Sequence, residues 1–173
     1  MGEIAIRRAG LDDAASIATV HEAAVNGERG RGDYDDVQID AWAHPRTLAE
    51  LNEQIGARRF FMAESPSRPV AYAQLDVGAA TVRSIYVVPH RWRQGVGRRL
   101  AQTVFEAARD AGLRCVELDS SLNAVPFYEA LGFTRLRSVD HTLRSGVVMP
   151  CVRMTKELAD EPGAPSGTNG STP

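Results

Sequence analysis

The sequence predicts a mixed α/β domain, a sheet with helices packed on its faces. Three observations carry this. Short alternating or apolar runs of about four to eight residues recur along the chain. Between them lie segments with apolar residues at helical spacing. The strands occur both as direct neighbours across tight turns and on either side of a helix. With 173 residues, 43% hydrophobic and 24% charged, the chain suits one core with a short appendage.

In order, Ile4 and Ile6 alternate with polar neighbours in a first strand. Asp12 or Asp13 can cap a helix whose Ala14, Ile17, His21, Ala24 and Val25 share a face. Asn26 to Asp36 is rich in glycine and charge and reads as loop. Thr47 and Glu50 have capping-box spacing, with Leu48, Leu51 and Ile55 at helical intervals behind them. Arg59 to Glu64 and Val70 to Leu75 form a strand pair around the turn Ser65 to Pro69. Thr81 to Val88 is the next strand, stopped by Pro89. A long helix runs from about Gly95 to Ala111, with Val96, Leu100, Val104 and Ala107/Ala108 inward and Gly112 as its stop. Leu113 to Asp119 is a buried strand, and Pro126 to Leu131 a short helix ending at Gly132. Phe133 to Ser138 and Val147 to Lys156 pair as a terminal hairpin, with Pro150 marking an edge or bulge. Residues 1–158 make the domain. The stretch 159–173 is Gly-, Pro-, Ser- and Thr-rich, without large apolar residues, and is expected to be disordered.

Composition excludes several functions. Twenty basic against 22 acidic side chains give a net charge of −2, so no general nucleic-acid-coating field is expected. Cys115 and Cys151 are far apart, which fits reduced thiols and a cytoplasmic protein. His21, His44, His90 and His141 are scattered, so no metal site is expected. The N-terminal residues lack the apolar run of a signal peptide, and no stretch reaches the ~18 apolar residues of a membrane span.

Two segments carry the chemistry. From Ile85 to Leu100 a strand ends at Pro89, a loop follows, and Gly95 and Gly97 open a helix. Glycines there let backbone amides approach an anion. Arg91, Arg93, Arg98 and Arg99 crowd this helix start, with no acidic residue between Asp76 and Glu106. Cations at the positive end of the dipole cost about 0.3–1 kcal/mol each, and a bound phosphate reverses that sign. Leu100 stands where a dinucleotide fingerprint needs a third small residue, and no GxxxxGK[ST] occurs. In the second segment, Ser121 and Asn123 lie in the loop before the helix of Tyr128, near the carboxyl edge of the sheet where ligands bind.

Together these segments resemble the GNAT superfamily, the Gcn5-related N-acetyltransferases. Trp92 to Arg98 resembles its acetyl-CoA motif, Q/R-x-x-G-x-G/A, with Trp92 in place of the initial Gln or Arg. Asn123 to Phe133 resembles its second motif. Asp33-Tyr34 and Gln38 to Ala43 are similar to a YafP-like bacterial branch. The resemblance implies a mostly antiparallel sheet of about six to seven strands with helices on both faces. It implies acetyl-CoA as co-substrate, with Ile85, Tyr86 and Val87 offering backbone groups to pantetheine and the amide of Val87 polarising the thioester. Arg93, Gln94, Gly95, Val96, Gly97 and Arg98 would cradle the pyrophosphate, with Arg91 or Arg99 free for the ribose phosphate. Ser121 and Asn123 would bond the pantetheine arm, and Tyr128 would protonate the departing thiolate.

The acceptor, a small-molecule or peptide amine, must lose a proton before attack. Asp119, Glu117, Glu22 and His21 are the candidate bases, with Asp119 preferred for its place near the strand end. Tyr34 and Trp42 would flank the acceptor, and Asp33, Asp35, Asp36 and Asp40 would attract a cationic amine. Neither cysteine is placed as a nucleophile, so direct attack in a ternary complex is expected, by a monomer or homodimer without nucleic-acid or membrane partners. A non-catalytic acyl-CoA sensor, or an enzyme acting on a protein lysine or N-terminus, remains an alternative.

Overall fold

The computed structural model describes residues 3–44 and 46–158. The expected disordered tail, 159–173, lies outside them. Among the described residues the elements are β1 (Ala5–Arg8), α1 (Ala14–Asn26), α2 (Asp36–Ala43), α3 (Leu48–Ala57), β2 (Arg59–Ser65), β3 (Arg68–Asp76), β4 (Thr81–Val87), α4 (Val96–Asp110), β5 (Cys115–Ser121), α5 (Val125–Ala130), β6 (Thr134–Thr142) and β7 (Val148–Glu157). No helix among them is long and apolar enough to cross a membrane.

The strands form one seven-stranded sheet in the order β1-β2-β3-β4-β5-β7-β6. Every neighbouring pair is antiparallel except β4 and β5. Val70 through Leu75 of β3 are buried, so both faces of the sheet are covered there. Helix α1 lies over the face bearing Tyr72 and Tyr86, because His21 contacts both rings. Helix α4 lies over the opposite face, where Gly97 abuts the Val87 side chain. The fully buried Leu100, Val104 and Ala108 of α4 face inward as the 3.6-residue period requires.

Several boundaries differ from expectation. The turn after β2 is only Pro66-Ser67, because Ser65 pairs directly with Arg68, and Pro69 is accommodated at a register shift opposite Glu64. Strand β5 alternates rather than being wholly buried: Val116, Leu118 and Ser120 point in, while Cys115 is exposed. Pro150 is not on an outer strand, since β7 lies between β5 and β6. It sits one residue beyond the last β5 pairing, Ser121 with Cys151, where a missing N–H costs nothing on that side.

Helix α2 begins where the Asn26 to Asp36 stretch ends, in residues to which the sequence pattern assigns no element. Asp35 caps it, accepting from the Gln38 N–H at 2.8 Å, and Gln38 returns a contact to the Asp35 N–H. Only Ile39 and Ala43 of this helix are buried. They pack with Val25, Tyr34, Met149 and Cys151 in a small satellite core. The Gln38 side chain donates to the Val148 carbonyl at 2.9 Å. The Tyr34 hydroxyl donates to the Pro150 carbonyl and accepts from the Leu122 N–H, each at 2.8 Å. One phenol thus ties the α1–α2 segment to β7 and to the end of β5.

Candidate active site

Strands β4 and β5 are joined at one paired position among the described residues, Thr81 with Glu117. Beyond it they part. The Val88 N–H donates to the Val70 carbonyl, which sets the alternation along β4. Ser84 and Tyr86 therefore share the ladder with β3, and the backbone groups of Ile85 and Val87 point into the gap. A cleft of about 1180 Å³ opens there, lined by residues of α1, β3, β4, the start of α4, the end of β5 and the β6–β7 turn.

At one end lies the start of α4. Gly95 is its N-cap at φ +77°, with no side chain capping the first amides. Arg93, at φ +59°, completes the turn in the left-handed region. The first N–H groups are thus left to an incoming anion. A Cβ on Gly97 would stand 3.3 Å from the Phe127 ring and 3.4 Å from Val87 Cγ2, so this glycine lets α4, α5 and β4 meet. Arg93 and Arg98 line the cleft and form no ion pair among the described residues. The Gln94 side chain turns back, donating to the His90 carbonyl at 2.9 Å, so only its backbone serves the loop. Arg99 is not free for a ribose phosphate: it donates to the Ile4 carbonyl at 2.9 Å and pins the chain entering β1. Arg91 remains in the cleft with a buried Nε that has no hydrogen-bond partner among the described residues.

Trp92, at the departing motif position, has a defined role. Its indole donates to the Val87 carbonyl at 2.6 Å, packs against Gly27, and lies under the Arg31 guanidinium at 5.1 Å. It braces α1 and the glycine loop against the open edge of β4.

Ser121 and Asn123 line the cleft at the end of β5. Tyr128 is 7% exposed, with its ring edge-on to Phe127 and Phe133. Burial, with Tyr86 nearby, raises its phenol above the usual range, so it stays protonated. Four buried side-chain atoms of cleft residues, Gln74 Nε2, Ser84 Oγ, Arg91 Nε and Asn123 Oδ1, have no hydrogen-bond partner among the described residues. Such orphans are costly in an empty protein and cheap against a polar ligand.

At the other end, Trp42, Tyr72 and Tyr86 surround His21. The His21 Nε2 lies 2.9 Å from the Trp42 carbonyl and must donate to it, which leaves Nδ1 as an acceptor 3.4 Å from the Tyr72 hydroxyl. Burial lowers its pKa, so the ring is neutral at pH 7. Trp42 donates its indole N–H to the Tyr86 hydroxyl at 2.9 Å and walls the cleft as expected. Tyr34 does not: it is the buried clamp described above and is absent from the cleft wall.

The expected base and the acidic loop are both committed elsewhere. Arg153 grips the Asp119 carboxylate through two hydrogen bonds of 2.7 and 2.9 Å and holds it below the usual carboxyl range, which makes it a weak proton acceptor. Glu117 and Glu22 are exposed and outside the cleft wall. Asp36 and Asp40 share the one guanidinium of Arg29, Asp35 is the cap of α2, and of the four loop carboxylates only Asp40 lines the cleft. Sequence reasoning missed Glu28, a cleft carboxyl pushed up by burial against the opposing pull of Arg31 and Asn123. Its only local signal was an acidic residue at the end of a helix, where the dipole disfavours it.

Fold and cleft define an α/β domain with a long cleft, rich in arginine at one end, where two parallel strands separate. A model of the acetyltransferase (GNAT) domain matches residues 31–158, and the chain belongs to this acetyltransferase family. Solved structures agree on the fold. A GCN5-related N-acetyltransferase from Rhodopseudomonas palustris is 25% identical, with a TM-score of 0.83 over 91% of this chain and 98% of that one. Salmonella typhimurium yncA, solved with its cofactor acetyl-CoA, is 20% identical with a TM-score of 0.67, over 95% and 99%. The ribosomal-protein-S18-alanine N-acetyltransferase from Escherichia coli is 17% identical with a TM-score of 0.69, over 98% and 100%. These matches do not distinguish a branch within the family.

Proposed function

We propose that the protein transfers the acetyl group of acetyl-CoA to an amine by direct attack in a ternary complex. The observation that carries this reading is the uncapped start of α4 beside the parted β4 and β5, with a protonated phenol in the same cleft. Acetyl-CoA is the co-substrate. The amides after Gly95, with Arg93 and Arg98, are suited to its pyrophosphate, and Arg91 to its ribose phosphate. The backbone groups of Ile85, the Val87 N–H and the unpartnered Asn123 Oδ1 suit the pantetheine arm, with Ser121 alongside. The Val87 N–H would hold the developing oxyanion.

In this reading the amine attacks the thioester carbon, the carbon–sulfur bond breaks, and Tyr128 gives its proton to the leaving thiolate. The buried phenol keeps its proton at neutral pH, so it is there to be given to sulfur as the carbon–sulfur bond breaks. The ammonium proton leaves through the Tyr72 hydroxyl to His21 Nδ1, a neutral acceptor, rather than to Asp119.

Two outcomes check this. Acetyl-CoA at about one hundred times its Kd should stabilise the fold by about 2.7 kcal/mol, raising the melting temperature by about 5–10 °C. NAD and ATP should not match it; equal shifts from all three would reduce the site to unspecific anion binding. The second outcome concerns pH. A base with a depressed pKa loses its proton early as pH rises, so kcat/KM should climb to a plateau with its midpoint below about 6.5. A midpoint near the pKa of the amine itself would show that the amine arrives deprotonated and that His21 takes no part.

A further inference from the structure

The charges at the acceptor end do not suit a purely cationic amine. The carboxylates of the cleft wall are already held: Asp119 by Arg153, Asp40 by Arg29 and Glu28 by Arg31, while Glu50, in a neighbouring hollow, is held by Arg144 and by the cap of α3. Arg58 and Arg83, both in the cleft wall, share the single carboxylate of Asp76 at 3.2 and 3.3 Å. Arg46, in the link between α2 and α3, also lines the cleft, and it forms no ion pair among the described residues. Glu53 on α3 lines a neighbouring surface hollow with Arg46 but makes no ion pair with it. The positive charge of Arg46 reaches His21, Tyr72 and Tyr86, biasing each toward its deprotonated form. The acceptor end therefore combines an aromatic wall, a neutral imidazole, two orphaned neutral polar groups (Gln74 and Ser84) and an excess of guanidinium.

We infer that the acceptor is an amine that also carries a carboxylate, a free amino acid with an apolar or aromatic side chain, held through that carboxylate by Arg46. This deepens the acetyltransferase reading and rests on it. An uncommitted guanidinium at the mouth of a cleft gains a charge-assisted hydrogen bond from a carboxylate, and a fork matches its two oxygens. Trp42 and Tyr86 then receive the side chain, and the α-amine points toward Tyr72 and His21. A peptide N-terminus lacks the adjacent carboxylate, so a protein acceptor would leave Arg46 unused.

The test compares L-phenylalanine, L-phenylalaninamide and phenethylamine as acceptors in a CoA-release assay, alongside calorimetric titration of acetyl-CoA into the same protein. The expected result is a kcat/KM at least about tenfold higher for the free amino acid than for either neutral-tailed amine, in keeping with a partly exposed charge-assisted bond. Arg46→Ala should collapse that ratio toward unity, mainly through KM, and Arg46→Lys should restore much of it. Equal or better turnover of the amide or the amine overturns the inference, as does a ratio that survives Arg46→Ala. Binding of acetyl-CoA without turnover of any of the three overturns it while leaving the cofactor site standing. No binding of acetyl-CoA overturns both the inference and the reading beneath it.

Discussion

Replacing Tyr128 by phenylalanine should lower kcat by about two orders of magnitude, the ordinary contribution of a positioned general acid, while acetyl-CoA affinity changes by no more than a few-fold. The substitution keeps the ring and its edge-on contacts with Phe127 and Phe133, so the helix that carries it has no reason to shift. It removes only the hydroxyl, whose burial keeps it protonated across the working pH range. Without it, the thiolate must leave as an anion or find a water in a confined cleft. Single-turnover kinetics beside calorimetry separate the two effects. A kcat unchanged within twofold or so would remove Tyr128 from proton transfer and return it to the core.

Tyr34→Phe should instead destabilise the fold. The phenol is 8% exposed and holds two backbone groups from segments far apart in sequence. Its loss leaves the Leu122 N–H without its partner in a half-buried turn and takes one acceptor contact from the Pro150 carbonyl. Stranded buried groups cost about 1–3 kcal/mol for the donor and less for the carbonyl, so about 2–3 kcal/mol is expected in all. That lowers the melting temperature by about 5–10 °C in a domain of this size. Thermal unfolding with and without acetyl-CoA gives the reading. A variant as stable as the parent would mean that water replaces the hydroxyl at little cost.

The start of α4 was legible because its cause is local. Gly95 needs a left-handed backbone and Gly97 needs room, and both requirements are written at single positions. The capping box at Thr47 and Glu50 is local too, and α3 begins there. Helix α2 has the same kind of signal in Asp35 and Gln38, but with Ile39 and Ala43 as its only buried residues it offers little periodicity. The roles of Asp119 and Tyr34 were hidden for a different reason. Asp119 meets Arg153 because β5 and β7 pair in one particular register, and Tyr34 meets Pro150 because β7 threads between β5 and β6. Side-chain partners of that kind are decided by sheet order, which no spacing along the chain encodes. The net charge of the acceptor end follows the same rule. Asp36 and Asp40 look available in the sequence until Arg29 is found across from them.

The meeting of β4 and β5 at Thr81 and Glu117 alone also has a mechanical consequence. Backbone pairing runs continuously from β1 to β4 and again through β5, β7 and β6, so among the described residues the two blades share a single point of strand pairing. A ligand lying in the opening would touch both blades and stiffen the joint. Substrate occupancy would then add stiffness to a joint that the shared core and the Tyr34 clamp already hold.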